Sequence, residues 1–165
     1  MVREAPAVTV IPSAESLAAV PSTDFAQKTA YKVARVDANY VVVLKIDGKD
    51  TPVRLIGLSP VQAELPKGRA AILAEQIERF VHNLLAGEFV YLDNDAQLAE
   101  QDEDGRTVAY LYRAPDGLFV NLEIVRQGHA LADDDYEYQH TSALRFYKQK
   151  ARADQKGLWG MLGTE

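Results

Sequence analysis

One arginine and two acidic clusters are the residues of this chain whose types and positions could carry chemistry. Arg54 lies inside the otherwise apolar run at residues 53–58, where a core strand needs no charge. Because a guanidinium that is even half-buried is costly unless it is paired, this position indicates an ion pair or a bound anion. Residues 102–104 and 133–135 are acidic and would offer oxygen ligands to a cation if their loops met, although solvated acidic loops are commoner.

Metal ligands of other types are scarce. The chain has no cysteine, which rules out disulfides and cysteine-ligated metals, and the histidines His82, His129 and His140 lack the spacing of a zinc site. Tyr110 and Tyr112 lie two residues apart on one predicted strand, so they could stack on bases or pack in the core. We expect them to pack in the core.

The hydrophobic pattern predicts the elements that must position these residues. Strand-forming residues predict strands at residues 31–35, 39–46, 53–62, 89–92 and 108–112. Helical spacing predicts helices at residues 69–86 and 121–127, and a last one from Thr141 or Ser142, either of which could cap it, to about residue 156. Between the second and third strands, Asp47-Gly48 favours the positive φ angles of a tight hairpin turn.

Five short strands with a helix between the third and the fourth match the order of a five-stranded Greek-key barrel of the OB type. The predicted fold class is therefore α+β, mainly β, with about three helices. Residues 29–162 would form this domain. Residues 1–28, with Pro6, Pro12 and Pro21 among small and polar residues, are predicted to be a flexible N-terminal arm or linker.

Length and charge bound the classes of function. A chain of 165 residues suits one domain, and no apolar run approaches the roughly eighteen residues of a membrane-spanning helix. The formal net charge of −6 argues against a protein whose main task is to hold nucleic acid nonspecifically, because such proteins are usually basic on the binding face.

Several motifs resemble those of the staphylococcal nuclease (thermonuclease) family. They are Val53-Arg54-Leu55-Ile56-Gly57-Leu58, Leu84-Leu85-Ala86-Gly87, Asp104-Gly105-Arg106-Thr107-Val108-Ala109-Tyr110-Leu111-Tyr112, Val120-Asn121, Val125-Arg126-Gln127-Gly128-His129-Ala130 and Gly157-Leu158-Trp159. Their order and spacing match the family over roughly residues 31–160, which is nearly all of the chain outside the N-terminal arm. The resemblance implies the SNase-like form of the OB barrel.

The resemblance also implies a chemistry. Enzymes of this family cleave phosphodiester bonds with one Ca²⁺ held by carboxylates, two arginines that bind the phosphate and a glutamate proposed as general base. Hard oxygen ligands suit Ca²⁺, and arginines stabilise charge that develops on phosphoryl oxygens. Arg54 matches the first arginine and Arg106 the second. Both could instead be structural and paired with acidic side chains at the mouth of the barrel.

The metal and general-base positions depart from the family pattern. Asn39 stands at the first carboxylate ligand and Ser59 at the second. Gln62 stands at the glutamate, or Val61 does if a gap precedes Pro60. Because Asn39 and Ser59 offer only neutral oxygens, we expect Ca²⁺ to bind weakly, and a glutamine cannot accept a proton as a carboxylate does.

The loops that contact the nucleotide in the family depart as well. Glu103 and Asp104 replace a Lys-Tyr pair, and the tyrosines that pack on the nucleotide fall on or near Asp134 and Tyr136. Negative charge at these places repels a polyanion, so nucleic acid, the ligand that the resemblance implies, is disfavoured.

Two main hypotheses follow. The first, which we favour, is a non-catalytic binding module with a degenerate active site that holds a protein partner, a cation or a small basic ligand. The second is a Ca²⁺-dependent phosphodiesterase that hydrolyses DNA or RNA through Arg54 and Arg106, with Asp37 or Glu64 as replacement carboxylates. A purely architectural domain is a third hypothesis. The resemblance is compatible with secretion or a cell-envelope location, and the residues leave the partner and the oligomeric state open.

Overall fold

The computed structural model describes residue 25, residues 28–60 and residues 66–162. Its strands are β1 (Ala30–Asp37), β2 (Val41–Ile46), β3 (Lys49–Leu55), β4 (Leu58–Ser59), β5 (Phe89–Asp93), β6 (Thr107–Arg113) and β7 (Leu131–Ala132). Its helices are α1 (Lys67–Leu85), α2 (Val120–Arg126), α3 (Thr141–Ala153) and α4 (Leu158–Leu162). None of the described helices is long and apolar enough to cross a membrane.

Five of the strands close into a barrel in the order β1-β2-β3-β6-β5, and β5 pairs in turn with β1. Neighbouring barrel strands are antiparallel except for β3 and β6, which run parallel with Arg54 opposite Val108. β4 and β7 form a separate two-stranded sheet. The predicted fold class is confirmed, because a closed five-stranded barrel with helices is the expected α+β, mainly β, architecture.

The β2–β3 hairpin follows directly from its residues. Residues 41–44 are three valines and a leucine, all buried, and β-branched side chains favour the extended backbone of a packed strand. Asp47 and Gly48 join the two strands with φ angles of 52° and 78°. The predicted hairpin turn is therefore confirmed.

The third predicted strand proves to be two strands. β3 stays beside β6 as far as Leu55, which lies opposite Ala109. Residues 56–57 then turn the chain into β4, whose partner is β7 rather than a barrel strand. The prediction of one strand over residues 53–62 is wrong because an unbroken apolar run gives no sign of a change of partner.

The two long helices bury one apolar face each. α1 lies against β1 and buries Leu73, Ile77, Val81 and Leu85, which are spaced four residues apart. α3 lies against α2 and buries Leu144, Tyr147 and Ala151 on one face.

The last predicted helix differs from the observed helix α3 in its N-terminal cap and in the residue at which it ends. α3 stops at Ala153 because Gln155 adopts a φ of 55°, and the chain then forms the separate helix α4. The predicted cap is also wrong, because Thr141 and Ser142 both lie within the helix. His140 precedes the helix, and its side chain makes no capping hydrogen bond. The Thr141 hydroxyl instead accepts a hydrogen bond from the Tyr138 N–H at 2.8 Å.

The tyrosines of β6 pack in the core, as expected. Tyr110 and Tyr112 expose only 0% and 1% of their surface. The Phe119 ring stacks on Tyr112 with ring centres 4.8 Å apart and meets the Tyr110 ring edge-on at 5.8 Å. These two side chains therefore cannot form a stacking platform for bases.

The described end of the N-terminal arm contacts the barrel. The Phe25 ring stacks on the Tyr91 ring at 4.5 Å, and the Lys28 ammonium lies 3.3 Å from a carboxylate oxygen of Asp93. Most of residues 1–28 lie outside the described part of the chain, so the predicted boundary between arm and domain stays a prediction.

Candidate functional site

Arg54 and Arg106 line one cleft of about 350 Å³, called here the arginine cleft. Arg54 extends from β3, and Arg106 directly precedes β6. The parallel pairing of these strands places Arg54 opposite Val108, two residues beyond Arg106, so the two guanidinium groups meet at the same end of the barrel. The other charged or amide side chains that line the arginine cleft are Asn39, Glu103 and Asp104.

Asp102 organises the loop that carries Arg106. Its side chain is only 9% exposed, and its Oδ1 accepts hydrogen bonds from the backbone N–H groups of Asp104 and Arg106, both at 2.9 Å. Its Oδ2 accepts a hydrogen bond from Arg106 Nε at 3.0 Å. Burial alone would raise the pKa of Asp102, but these hydrogen bonds outweigh it and lower the pKa below its ordinary value.

The two arginines differ in how far they are paired. Arg106 Nε contacts Asp102, and Arg106 Nη2 lies 3.0 Å from Oδ2 of Asp104. Within the described part of the chain, Arg54 has one distant ion pair, 4.0 Å from Asp102, and its side chain is 44% exposed. Internal pairing, which the sequence left as an alternative for both arginines, therefore describes Arg106 well and Arg54 poorly.

The described residues do not fit the Ca²⁺ that the resemblance implies. Asn39 lines the arginine cleft, but Ser59 lines a second cleft, beside residues 133–135, Lys148 and Trp159. Nowhere in residues 28–60 and 66–162 do three acidic or histidine side chains form a group that could hold a metal ion. Ca²⁺ needs several hard and preferably anionic oxygens, which these positions do not bring together.

The replacement carboxylates do not join the arginine cleft within the described chain. Asp37 accepts a hydrogen bond from Arg35 Nε at 3.0 Å on the surface of β1 and is not among the residues that line the cleft. Glu64 and Gln62 lie outside the described residues, so their predicted roles stay predictions.

The acidic loop before α3 is largely paired with that helix. Arg145 Nε lies 3.1 Å from Asp134, and Lys148 Nζ lies 3.5 Å from the same carboxylate. Arg145 also contacts Glu137 at 3.5 Å. These cations reduce the repulsion that the acidic loop would exert on an anionic ligand, although exposed ion pairs are individually weak.

A neighbouring apolar cleft of about 390 Å³ was not predicted. Its apolar lining residues are Ile56, Leu98, Ala99 and Val108, and its polar ones are Arg54, Gln101, Asp102, Glu103 and Tyr136. Tyr136 is held there because its hydroxyl oxygen accepts a hydrogen bond from the Gly57 N–H at 3.1 Å. The one sequence signal for this cleft was Leu98, a lone leucine within the acidic loop.

Asp95 is a second residue that the sequence did not single out. Its side chain is buried and accepts hydrogen bonds from the Tyr110 hydroxyl at 2.6 Å and the Gln139 N–H at 2.7 Å. Burial would raise the pKa of Asp95, but these hydrogen bonds lower it overall. Asp95 thus ties the loop after β5 to the loop before α3.

His140, which is buried, and His129, which is half-buried, are expected to make stability depend on pH. Burial lowers the pKa values of His129 and His140, and the buried atoms His129 Nδ1 and His140 Nε2 have no hydrogen-bond partner among the described residues. Below about pH 6.5 the unfolded chain takes up protons that the folded chain does not. We expect the free energy of unfolding to be level above that pH and to fall below it, by up to about 1.4 kcal/mol per pH unit for each histidine.

Urea unfolding between pH 8 and pH 5 measures this dependence. His129→Phe should keep the stacking on the Phe80 ring, 4.3 Å away, and remove part of the slope. A free energy of unfolding that stays level down to pH 5 would contradict the prediction.

Comparison with known proteins agrees with this geometry. The family model described as "Staphylococcal nuclease homologue" matches residues 52–161. The thermonuclease of Staphylococcus hyicus is 26% identical over 137 residues, which cover 81% of this chain and 78% of that protein. The thermonuclease of Staphylococcus intermedius is 29% identical over 103 residues, which cover 62% of this chain and 59% of that protein.

The matched region contains Arg54, Arg106, the strands β5 and β6 and the helices α1, α2 and α3. The closed five-stranded barrel agrees with the family match. The chain therefore carries a nuclease-like domain and belongs to the family of staphylococcal nuclease homologues.

Proposed function

We propose that this chain is a non-catalytic binding domain that holds its ligand around Arg54 and does not hydrolyse phosphodiesters. The observation that carries the proposal is that the arginine cleft combines a paired arginine with a neutral side chain at a predicted metal-ligand position. Arg106 is engaged there by Asp102 and Asp104, and the neutral Asn39 stands where the resemblance implies a carboxylate ligand.

The chemistry of hydrolysis explains why this arrangement matters. An arginine accelerates phosphoryl transfer when its donors are free to meet the charge that develops on the phosphate. A metal ion assists when anionic ligands hold it beside the same phosphate. Pairing of Arg106 with carboxylates reduces its stabilisation of the charge that develops on the phosphate. Neutral side chains at the metal-ligand positions weaken the binding of the metal ion.

Single-stranded DNA cleavage with and without several millimolar Ca²⁺ tests the proposal. We expect no Ca²⁺-dependent cleavage, so that the chain and its Arg106→Ala variant give the same background rate. Loss of one charge-stabilising donor typically lowers kcat about 100-fold or more. Ca²⁺-dependent cleavage that Arg106→Ala reduces by this factor would therefore refute the proposal, and the variant also controls for a contaminating nuclease.

A Ca²⁺-dependent phosphodiesterase is the second candidate function. The convergence of Arg54 and Arg106 on one cleft favours it. Under this hypothesis Asp37 or Glu64 supplies the missing carboxylate, and Asp37→Asn or Glu64→Gln would abolish the Ca²⁺-dependent cleavage. The same assay therefore separates the two candidates.

A further inference from the structure

We propose that Asp104 closes the Arg106 side of the arginine cleft, so that the cleft accepts a ligand with one anionic group, bound at Arg54, and rejects the repeated phosphates of a nucleic acid. This inference rests on the proposed binding function and deepens it by naming the class of ligand and the residue that selects it.

The hydrogen bonds of Arg106 show how the closure works. A guanidinium binds a phosphate most strongly through two parallel N–H donors on one edge. On Arg106, the edge formed by Nε and Nη2 is shared by two carboxylates, with Asp102 at 3.0 Å from Nε and Asp104 at 3.0 Å from Nη2. A phosphate can use this edge only after it displaces a carboxylate.

Asp104 is the carboxylate that an incoming anion can displace. The side chain of Asp102 is 9% exposed and is bound to two backbone N–H groups, so it is part of the loop structure. The side chain of Asp104 is 74% exposed, and among the described residues its carboxylate pairs only with Arg106. Asp104 thus competes with an incoming anion for Arg106, whereas Asp102 positions Arg106.

Arg54 is the arginine whose guanidinium is accessible to an anionic ligand. Its side chain is 44% exposed, its one ion pair with a described residue is 4.0 Å long, and it lines both the arginine cleft and the apolar cleft. A ligand with its anionic group on Arg54 can place an apolar part against Ile56, Leu98 and Val108. A second anionic group that extended into the arginine cleft would face Asp104 in addition to Glu103, which lines both clefts, and like charges repel.

Ligand titration of the full chain tests this selection. The probes are phenyl phosphate, benzoate and a short oligothymidylate, followed through the NMR signals of the Nε–H groups of Arg54 and Arg106. In the unmodified chain we expect phenyl phosphate or benzoate to shift the Arg54 signal and leave the Arg106 signal in place. The first two probes distinguish a phosphate from a carboxylate as the anionic group.

The decisive variant is Asp104→Asn, which removes the charge and keeps the size of an exposed side chain. We expect this variant to bind oligothymidylate up to about fivefold more tightly, because one exposed opposing charge is gone. We also expect oligothymidylate to shift the NMR signal of Arg106 in this variant. Tighter binding without a response from Arg106, or unchanged binding, overturns the inference.

Two matched variants separate pairing from charge. Glu103→Gln makes the same charge change in the same cleft, but no ion pair of Glu103 is found within the described chain. Asp116→Asn breaks a comparable pair, with Arg113 at 2.7 Å, outside the cleft. If Glu103→Gln strengthens oligothymidylate binding as much as Asp104→Asn does, charge alone is responsible and the inference fails.

The experiments distinguish failure of the inference from failure of the proposed function. If the unmodified chain cleaves DNA with Ca²⁺ and Arg106→Ala abolishes the cleavage, both proposals fall, because the cleft then accepts a nucleic acid. If no variant changes anion binding and no cleavage is found, the proposed function stands and the inference falls.

Discussion

Replacement of Asn121 by alanine is expected to destabilise the fold by about 3–5 kcal/mol. Asn121 is fully buried on α2, where its amide donates to the carbonyl oxygen of Ile56 at 2.9 Å and to that of Ala109 at 3.4 Å. Its own carbonyl oxygen accepts a hydrogen bond from the Leu111 N–H at 3.0 Å. Alanine would remove this partner from the Leu111 N–H and the Ile56 carbonyl oxygen, and a buried polar group left unpaired costs more free energy than a hydrogen bond contributes. The Ala109 carbonyl oxygen would keep the hydrogen bond that it accepts from the Ile56 N–H at 3.0 Å.

Chemical denaturation of Asn121→Ala, monitored by circular dichroism, measures this loss. Asn83→Ala is the matched control, because Asn83 is exposed on α1 and the substitution should change stability by less than about 0.5 kcal/mol. A loss at Asn121 below about 1 kcal/mol would mean that water replaces the amide and that the site is less dry than the structure indicates.

Gly128→Ala is expected to have the second-largest effect, a loss of roughly 2–4 kcal/mol. Gly128 has a φ of 81°, and a Cβ placed on it would lie 2.1 Å from the carbonyl oxygen of Lys156. The carbonyl oxygen of Gly128 also accepts a hydrogen bond from the Leu158 N–H at 2.9 Å. A methyl group there would force apart the backbone segments that attach α4 to the end of α2.

Gly87→Ala separates the two contributions to this loss. Gly87 has a similar φ of 75°, but nothing lies within 4 Å of a Cβ placed on it. It should therefore lose only about 1 kcal/mol, the conformational part. Thermal unfolding of both variants gives the comparison, and equal losses at the two positions would show that the contact with Lys156 contributes nothing.

The secondary structure was predictable wherever one local pattern decided it. The buried valines of β2, the Asp47-Gly48 turn and the apolar face of α1 are properties of neighbouring residues, and the structure has all three. The predictions were wrong where pairing with residues distant in sequence determines the secondary structure. The run at residues 53–62 divides because β4 pairs with β7, and nothing in the run itself indicates that partner.

The candidate site was predictable in its residues but not in its pairing. The charge of Arg54 within an apolar strand indicated a site, and the structure brings Arg106 beside it. The resemblance placed neutral side chains at Asn39 and Ser59, but only the structure shows that these two line different clefts. Successive side chains of a strand point to opposite faces, so Leu58 and Pro60 line the arginine cleft and Ser59 lines the other one.

The sequence by itself determined the order of the elements, the barrel and the family, since these follow from local patterns and from the order of motifs. The tertiary structure decided which charges meet. Asp102 and Asp104 engage Arg106, while Arg54 stays open, because loop paths and the parallel register of β3 and β6 bring those side chains together. Ion pairing depends on distances of a few ångströms between loops, and residue order does not encode such distances.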